Sequence, residues 1–246
     1  MVENFQLSMQ FTLKNWTDFF SIPYFRVGYL RTFGLAAFTS VLAVALAFPL
    51  AYTMAFKVSE RTRRIAIALL ITPFFTSYLV RSYSWQIILA NNGLVNTALS
   101  YLGFQPLALL NTPIATIIGY LTYVIPLVTL LLLVSFTSID PDLIEAAWNL
   151  GAGRIRSVFQ VVVPASRVGL ILSVAIAFIL SFGDFIAPTV LGGGNPPTLS
   201  ILISDTVKSA SNWPGASVIA LVMMVTLMVI AVIAFGFAFP GRRKSQ

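Results

Sequence analysis

Five stretches of this chain, residues 33–56, 65–89, 112–136, 168–190 and 217–239, each run for twenty or more residues with almost no charge. A crossing of the hydrocarbon layer needs roughly 20 apolar residues at 1.5 Å rise each. The pattern therefore predicts an all-α, polytopic membrane helix bundle with five spans. Composition agrees: 58% of the 246 residues are hydrophobic and only 9% are charged, against about 25% charge in soluble domains. Pro49, Pro73, Pro126 and Pro188 lie well inside these stretches. Neighbouring helices can re-satisfy the carbonyls a proline frees, so the prolines are read as kinks.

The residue types that are missing exclude much chemistry. There is no cysteine and no histidine, which removes disulfides, thiol nucleophiles, Cys/His metal sites and histidine bases. The net charge of +7 is not read as a nucleic-acid signal. Ten of the fifteen Lys/Arg residues fall in three clusters beside the apolar stretches: Lys57, Arg61, Arg63 and Arg64; Arg154, Arg156 and Arg167; Arg242, Arg243 and Lys244. With alternating spans all three lie on one side, which the positive-inside rule makes the cytosol. Loops 90–111 and 191–216 face the other side with Lys208 as their single basic residue. Tyr78, Tyr83, Trp85, Tyr101 and Trp213 fall near that outer side, as an aromatic belt would. This divides the chain into an extracytoplasmic segment 1–30, a transmembrane domain 31–240 with a cytosolic loop 137–167, and a basic cytosolic tail 241–246. No cleavable signal opens the chain, which leaves two expectations: a five-helix protein with its N-terminus outside, or a chain preceded by a further span.

The cytosolic loop carries the strongest local signal. Asp140 can cap a helix whose first residue is Pro141, and Gly151 can end it in the left-handed conformation. Asp142, Glu145 and Asn149 share one face; Leu143, Ala146, Ala147 and Leu150 share the other. A second helix over 154–163 stops at Pro164. From the residues alone, two readings stand: a rigid helix that fits a groove in a partner, or an amphipathic hairpin lying on lipid headgroups.

Glu145-Ala146-Ala147, three residues, Gly151, nine residues, then Val161-Val162-Val163-Pro164 resembles the EAA loop of bacterial ABC importer permeases. That signature has isoleucine and leucine where Val161 and Val163 stand. Residues 11–16 (FTLKNW), 72–81 (TPFFTSYLVR), 183–194 (GDFIAPTVLGGG) and 212–214 (NWP) are similar to spermidine/putrescine importer permeases in particular. The resemblance implies the type I importer permease architecture in a bacterial inner membrane, with a first span upstream of Met1. It implies partners: two copies of an ABC ATPase docked on the loop through Glu145, Ala146, Ala147 and Gly151, a second related permease and an extracytoplasmic solute-binding protein. It also implies a polyamine solute. No cofactor is expected on this chain; ATP and magnesium are used by the partner ATPase. A related permease for another small solute, an iron complex or organic ion, is the alternative.

Within the predicted spans only Arg81 and Asp184 are ionisable Asp, Glu, Lys or Arg residues. Each costs roughly 3 kcal/mol at mid-membrane unless paired or wetted. Both are the seventeenth residue of an outward-running span, so continuous helices would put them at one depth. Either they form an ion pair between helices, or they line a solute path in which Tyr83, Trp85, Tyr120 and Tyr123 offer cation–π surfaces to an amine. Enzyme readings fail for want of parts. Asp184 has no second intramembrane aspartate to share a proton, and neither Gly151-Ala152-Gly153-Arg154 nor Gly192–Gly194 continues into the Gly-Lys-Ser/Thr of a phosphate-binding loop. A stand-alone secondary transporter or channel is the rival outside this class; inverted repeats and several coupling charges would mark it, and the chain shows neither clearly.

Overall fold

The computed structural model describes residues 2–3, 6–7, 13–209 and 211–239. Apart from a two-residue antiparallel pairing of Val2–Glu3 with Gln6–Leu7, the regular structure of these residues is helical, as expected. The tail residues Arg242, Arg243 and Lys244, and Phe11 and Thr12 of the first resembling segment, lie outside the described residues.

Among the described residues, three helices are long and apolar enough to cross a membrane: α2 (Pro23–Phe56), α6 (Pro113–Thr137) and α13 (Trp213–Ala238); the count reaches five if each of two bent helix pairs is one crossing. A short helix α1 (Lys14–Ser21) precedes α2. Helix α2 starts at Pro23, ten residues before the predicted span, so the expected boundary after residue 30 falls inside a continuous helix. Proline suits a first helical position, where its missing N–H would have had no partner.

The other two predicted spans are broken, and the breaks follow the prolines. Residues 65–89 divide into α3 (Glu60–Ile71), a 3-10 turn (Thr72–Phe75) containing Pro73, and α4 (Tyr78–Leu89). Residues 168–190 divide into α10 (Arg167–Gly183) and α11 (Ile186–Val190). A proline ring clashes with the carbonyl four residues back; for Pro188 that residue is Asp184, where the helix is interrupted. Pro188 itself sits in the first turn of α11, where no N–H is needed. Pro49 and Pro126, by contrast, lie inside unbroken helices. The predicted loops hold helices too short to read as spans: α5 (Leu94–Tyr101) and α12 (Leu199–Lys208).

The chain divides into two compact units. One comprises the segment up to Ala37, Ser77–Tyr120 and Leu180–Met228; the other comprises Phe38–Thr76, Leu121–Ile179 and the segment from Val229. In the second unit Ala43, Ala47 and Ala51 of α2 and Val124, Val128, Leu132 and Phe136 of α6, all fully buried, share one core. Small residues at four-residue spacing let the facing helix approach closely, and Phe48 meets Phe136 edge-on at 5.1 Å. In the first unit the buried Thr32 hydroxyl accepts the Leu199 amide at 2.9 Å and donates to the Gly28 carbonyl at 2.7 Å, tying α2 to the start of α12.

Candidate functional site

The loop after α6 folds as α7 (Pro141–Asn149). Asp140 caps it, its carboxylate accepting the Asp142 amide at 3.0 Å. Gly151 adopts φ +81°, and the helix closes through Gly151 N–H to the Trp148 carbonyl at 2.9 Å and Ala152 N–H to the Ala147 carbonyl at 3.0 Å. Gly151 is there for its backbone alone, since a Cβ at this position would touch nothing within 4 Å. The loop is fixed to its own unit by Ile139, Ile144 and Val162, which are buried in the same core as α2 and α6.

Anchoring through Ile144 decides which way the helix looks. Leu143 is 53% exposed and Leu150 88% exposed, and Ala146 between them is exposed. The apolar face is turned outward. Asp142 and Asn149 are exposed beside it. Glu145 points elsewhere: with Trp148 it lines a cleft of about 610 Å³ whose other walls include Tyr52, Phe56, Lys57 and Arg154. The loop continues through α8 (Arg154–Ser157), a π-helical segment Val158–Val162 and α9 (Val163–Ala165), so it passes Pro164 instead of stopping there. Pro164 cannot donate to the carbonyl of Gln160; the wider π turn, with Val163 N–H on the Val158 carbonyl, absorbs that loss.

The basic cluster after α2 serves two ends. Arg63 donates from Nε to the Met54 carbonyl at 2.9 Å and from Nη2 to the Ala55 carbonyl at 3.1 Å, satisfying carbonyls at the helix end. Glu60 pairs with Arg63 at 3.4 Å and with Arg64 at 3.3 Å, while Lys57 Nζ lies 5.4 Å from the centre of the Tyr52 ring.

The second constellation surrounds the break between α10 and α11, within the first unit. The Asp184 carboxylate accepts the Tyr78 hydroxyl at 2.8 Å, the Ile186 amide at 3.2 Å and the Ala187 amide at 3.0 Å. It thus caps α11 and reaches the first residue of α4. Tyr78 also meets the other ionisable residue of the predicted spans: the Arg81 guanidinium lies 5.7 Å from its ring centre. Tyr78 was foreseen only as a belt aromatic; its place at the start of α4 became visible once the break at Thr76 and Ser77 was known.

The aromatic residues expected around the charges differ in exposure and in the unit they belong to. Tyr83 is half-exposed and Tyr120 is 1% exposed; Trp85 is part-buried. Tyr123 belongs to the other unit, packed against its core. A second arginine within a membrane helix joins Arg81 in the first unit. Arg31 lies within α2, interacts electrostatically with Tyr120 and has a buried Nε without a hydrogen-bond partner. It was missed because the predicted span began two residues after it.

Comparison with known proteins gives one family and consistent relatives. The family model described as "Binding-protein-dependent transport system inner membrane component" matches residues 40–244. The chain is 29% identical over 228 residues to the spermidine/putrescine transport system permease protein PotB of Escherichia coli (strain K12), covering 91% of this chain and 82% of PotB. Among solved structures, a bacterial ABC transporter involved in import of the acidic polysaccharide alginate contains a similar chain, with TM-score 0.75, 18% identity and coverage of 97% of this chain and 86% of that one. A second structure, of a bacterial alginate ABC transporter in complex with an alginate pentasaccharide-bound periplasmic protein, matches with TM-score 0.72 and 18% identity over 91% of this chain and 81% of that one.

Proposed function

Because the chain belongs to the family of binding-protein-dependent transport system inner membrane components and is an ABC importer permease, we propose that Pro141–Asn149 is the element through which a separate ATPase drives it. The observation that carries this reading is the direction of α7. It is capped at both ends, rooted by buried Ile144, and presents Leu143, Ala146 and Leu150 outward. A two-turn helix with an exposed apolar face fits a groove in a partner. The alanines let that partner's backbone come close, and Gly151 keeps the helix short. Asp142 and Asn149 border the docking face, and Glu145 lines the neighbouring cleft.

In the proposed assembly this chain and a second related permease enclose one path. Two ATPase copies sit on the cytosolic side, each on one such loop, and a solute-binding protein docks on the other side. The charge asymmetry of the loops supports that orientation, and the periplasmic protein bound to the alginate transporter of similar fold is the model for the docking partner. Closure of the ATPase pair on ATP is transmitted through α7 as a movement of the helices on which it is rooted. The path runs through the unit that holds Arg81, Tyr83, Trp85 and Asp184.

The solute we propose is a polyamine, on the similarity to PotB and the resemblance of the 72–81 and 183–194 segments. A second reading, a solute that is not a polycation, is favoured by Arg31 and Arg81 in the same unit and by the engagement of the Asp184 carboxylate with three donors. The test is purification from native membranes followed by reconstitution. An ATPase co-purifies, and labelled spermidine uptake requires ATP and is blocked by excess putrescine. Recovery without an ATPase contradicts the coupling reading; uptake blocked by an organic anion but not by putrescine selects the second solute reading.

A further inference from the structure

Tyr78 and Asp184, each beside a helix break and both in the first unit, are bonded to each other, and that bond has a consequence for transport. Each break is proline-driven and leaves backbone amides without helical partners, a costly state within a membrane bundle. At the Asp184 break, two of these amides, those of Ile186 and Ala187, are taken by the Asp184 carboxylate. Its third donor is the hydroxyl of Tyr78, the first residue of α4 after the other break. Two further contacts hold α11. The Asn111 amide donates to the Leu191 carbonyl at 2.9 Å, and a Cβ added at Gly119 of α6 would lie 2.8 Å from that of Ala187. Tyr78 ties the Asp184-capped start of α11 to α4.

A carboxylate so occupied presents its oxygens to the protein, and a solute amine would have to displace the phenol or an amide to reach it. We propose that Tyr78 is a positioning residue for transport: its bond to Asp184 latches α4 to the start of α11 and holds the resting state, and Asp184 serves this latch instead of binding solute. The proposal rests on the importer reading above. In that reading the latch opens when the ATPase drives the helices apart, so its loss lets the cycle run without solute.

The experiment uses the full complex reconstituted in lipid, with Tyr78→Phe, Asp184→Asn and the double variant. Tyr78→Phe removes one hydroxyl and keeps the ring beneath Arg81. The readouts are ATP hydrolysis without solute, the spermidine concentration for half-maximal stimulation, and thermal stability. Each single variant is expected to raise solute-free hydrolysis several-fold with an unchanged half-maximal concentration, and the double variant to match the single ones, as two ends of one interaction do. Additive effects overturn the latch. So does a raised half-maximal concentration in Asp184→Asn with Tyr78→Phe silent, which makes Asp184 a solute ligand. Lowered thermal stability with wild-type hydrolysis overturns it as well, leaving a merely structural bond. In all three, the wild-type complex still couples and the importer reading stands; a wild-type complex that never hydrolyses ATP contradicts both.

Discussion

The Tyr78 hydroxyl donates to the Asp184 carboxylate at 2.8 Å, joining two residues 106 positions apart, each set beside an interruption in a predicted membrane span. An ordinary hydrogen bond to a charged group contributes about 1.5–3 kcal/mol. The same carboxylate takes the Ile186 and Ala187 amides, so it fixes local geometry as well as adding stability.

Gly151 gives a sharp test of the loop because geometry and space disagree there. Its φ of +81° disfavours side chains by about 1–2 kcal/mol, yet no atom lies within 4 Å of a Cβ. Asparagine tolerates this region better than alanine. Gly151→Asn is expected to retain most ATP-coupled uptake and Gly151→Ala to lose several-fold more, measured as solute moved per ATP in proteoliposomes. Equal activity in the two variants would show that the left-handed turn is unimportant.

Leu150 and Ile144 lie six residues apart with opposite roles. Leu150 is 88% exposed and Ile144 is 4% exposed. Leu150→Glu is expected to leave thermal stability within about 0.5 kcal/mol of wild type while cutting the ATPase recovered on purification. Ile144→Ala is expected to cost about 2–5 kcal/mol of stability. Thermal unfolding in detergent alongside quantitative co-purification separates the two effects.

Arg63 and Arg64 both pair with Glu60, yet only Arg63 carries the end of α2. Arg63→Ala strands the Met54 and Ala55 carbonyls and is expected to lower stability by about 1–3 kcal/mol. Arg64 is 77% exposed in its ion pair, so Arg64→Ala is expected to change stability by less than about 1 kcal/mol. Unfolding midpoints of the two variants decide this.

Thr32 supplies the buried acceptor for the Leu199 amide. Thr32→Val keeps the shape and strands that amide, at an expected cost of about 1–3 kcal/mol. Faster amide exchange at Leu199 with the rest of α2 unchanged would confirm a local effect; unchanged exchange at that site would contradict it.

What could be read in advance follows from how local each signal was. The caps of α7 are written in neighbouring residues, Asp140-Pro141 and Gly151, and needed no tertiary knowledge. The apolar stretches likewise announced helices, because composition alone decides that in a membrane. The breaks were hidden, since a proline inside an apolar run looks the same whether the helix bends or stops. Pro49 and Pro126 sit in continuous helices, whereas Pro188 meets a residue, Asp184, whose side chain captures the freed amides, with Tyr78 completing the set from 106 positions away. Arg26 and Arg31 disguised the first turns of α2 as a polar segment, which moved the boundary and concealed Arg31. Glu145 was grouped with Asp142 and Asn149 by helical spacing alone; the rooting of Ile144 turned it toward the cleft beside Trp148.

The central claim is that α7 meets a separate ATPase on the cytosolic side, and the absence of native cysteine makes a direct measurement clean. A single cysteine at position 150, Leu150→Cys, is introduced in native membranes, with Phe104→Cys in the exposed loop after α5 as the opposite-side control. The account predicts that a short thiol crosslinker joins position 150, and not 104, to an ATPase, and that a membrane-impermeant thiol reagent added outside spheroplasts labels position 104 and spares 150. Labelling of position 150 from outside, or crosslinking to the ATPase from 104 alone, would contradict it.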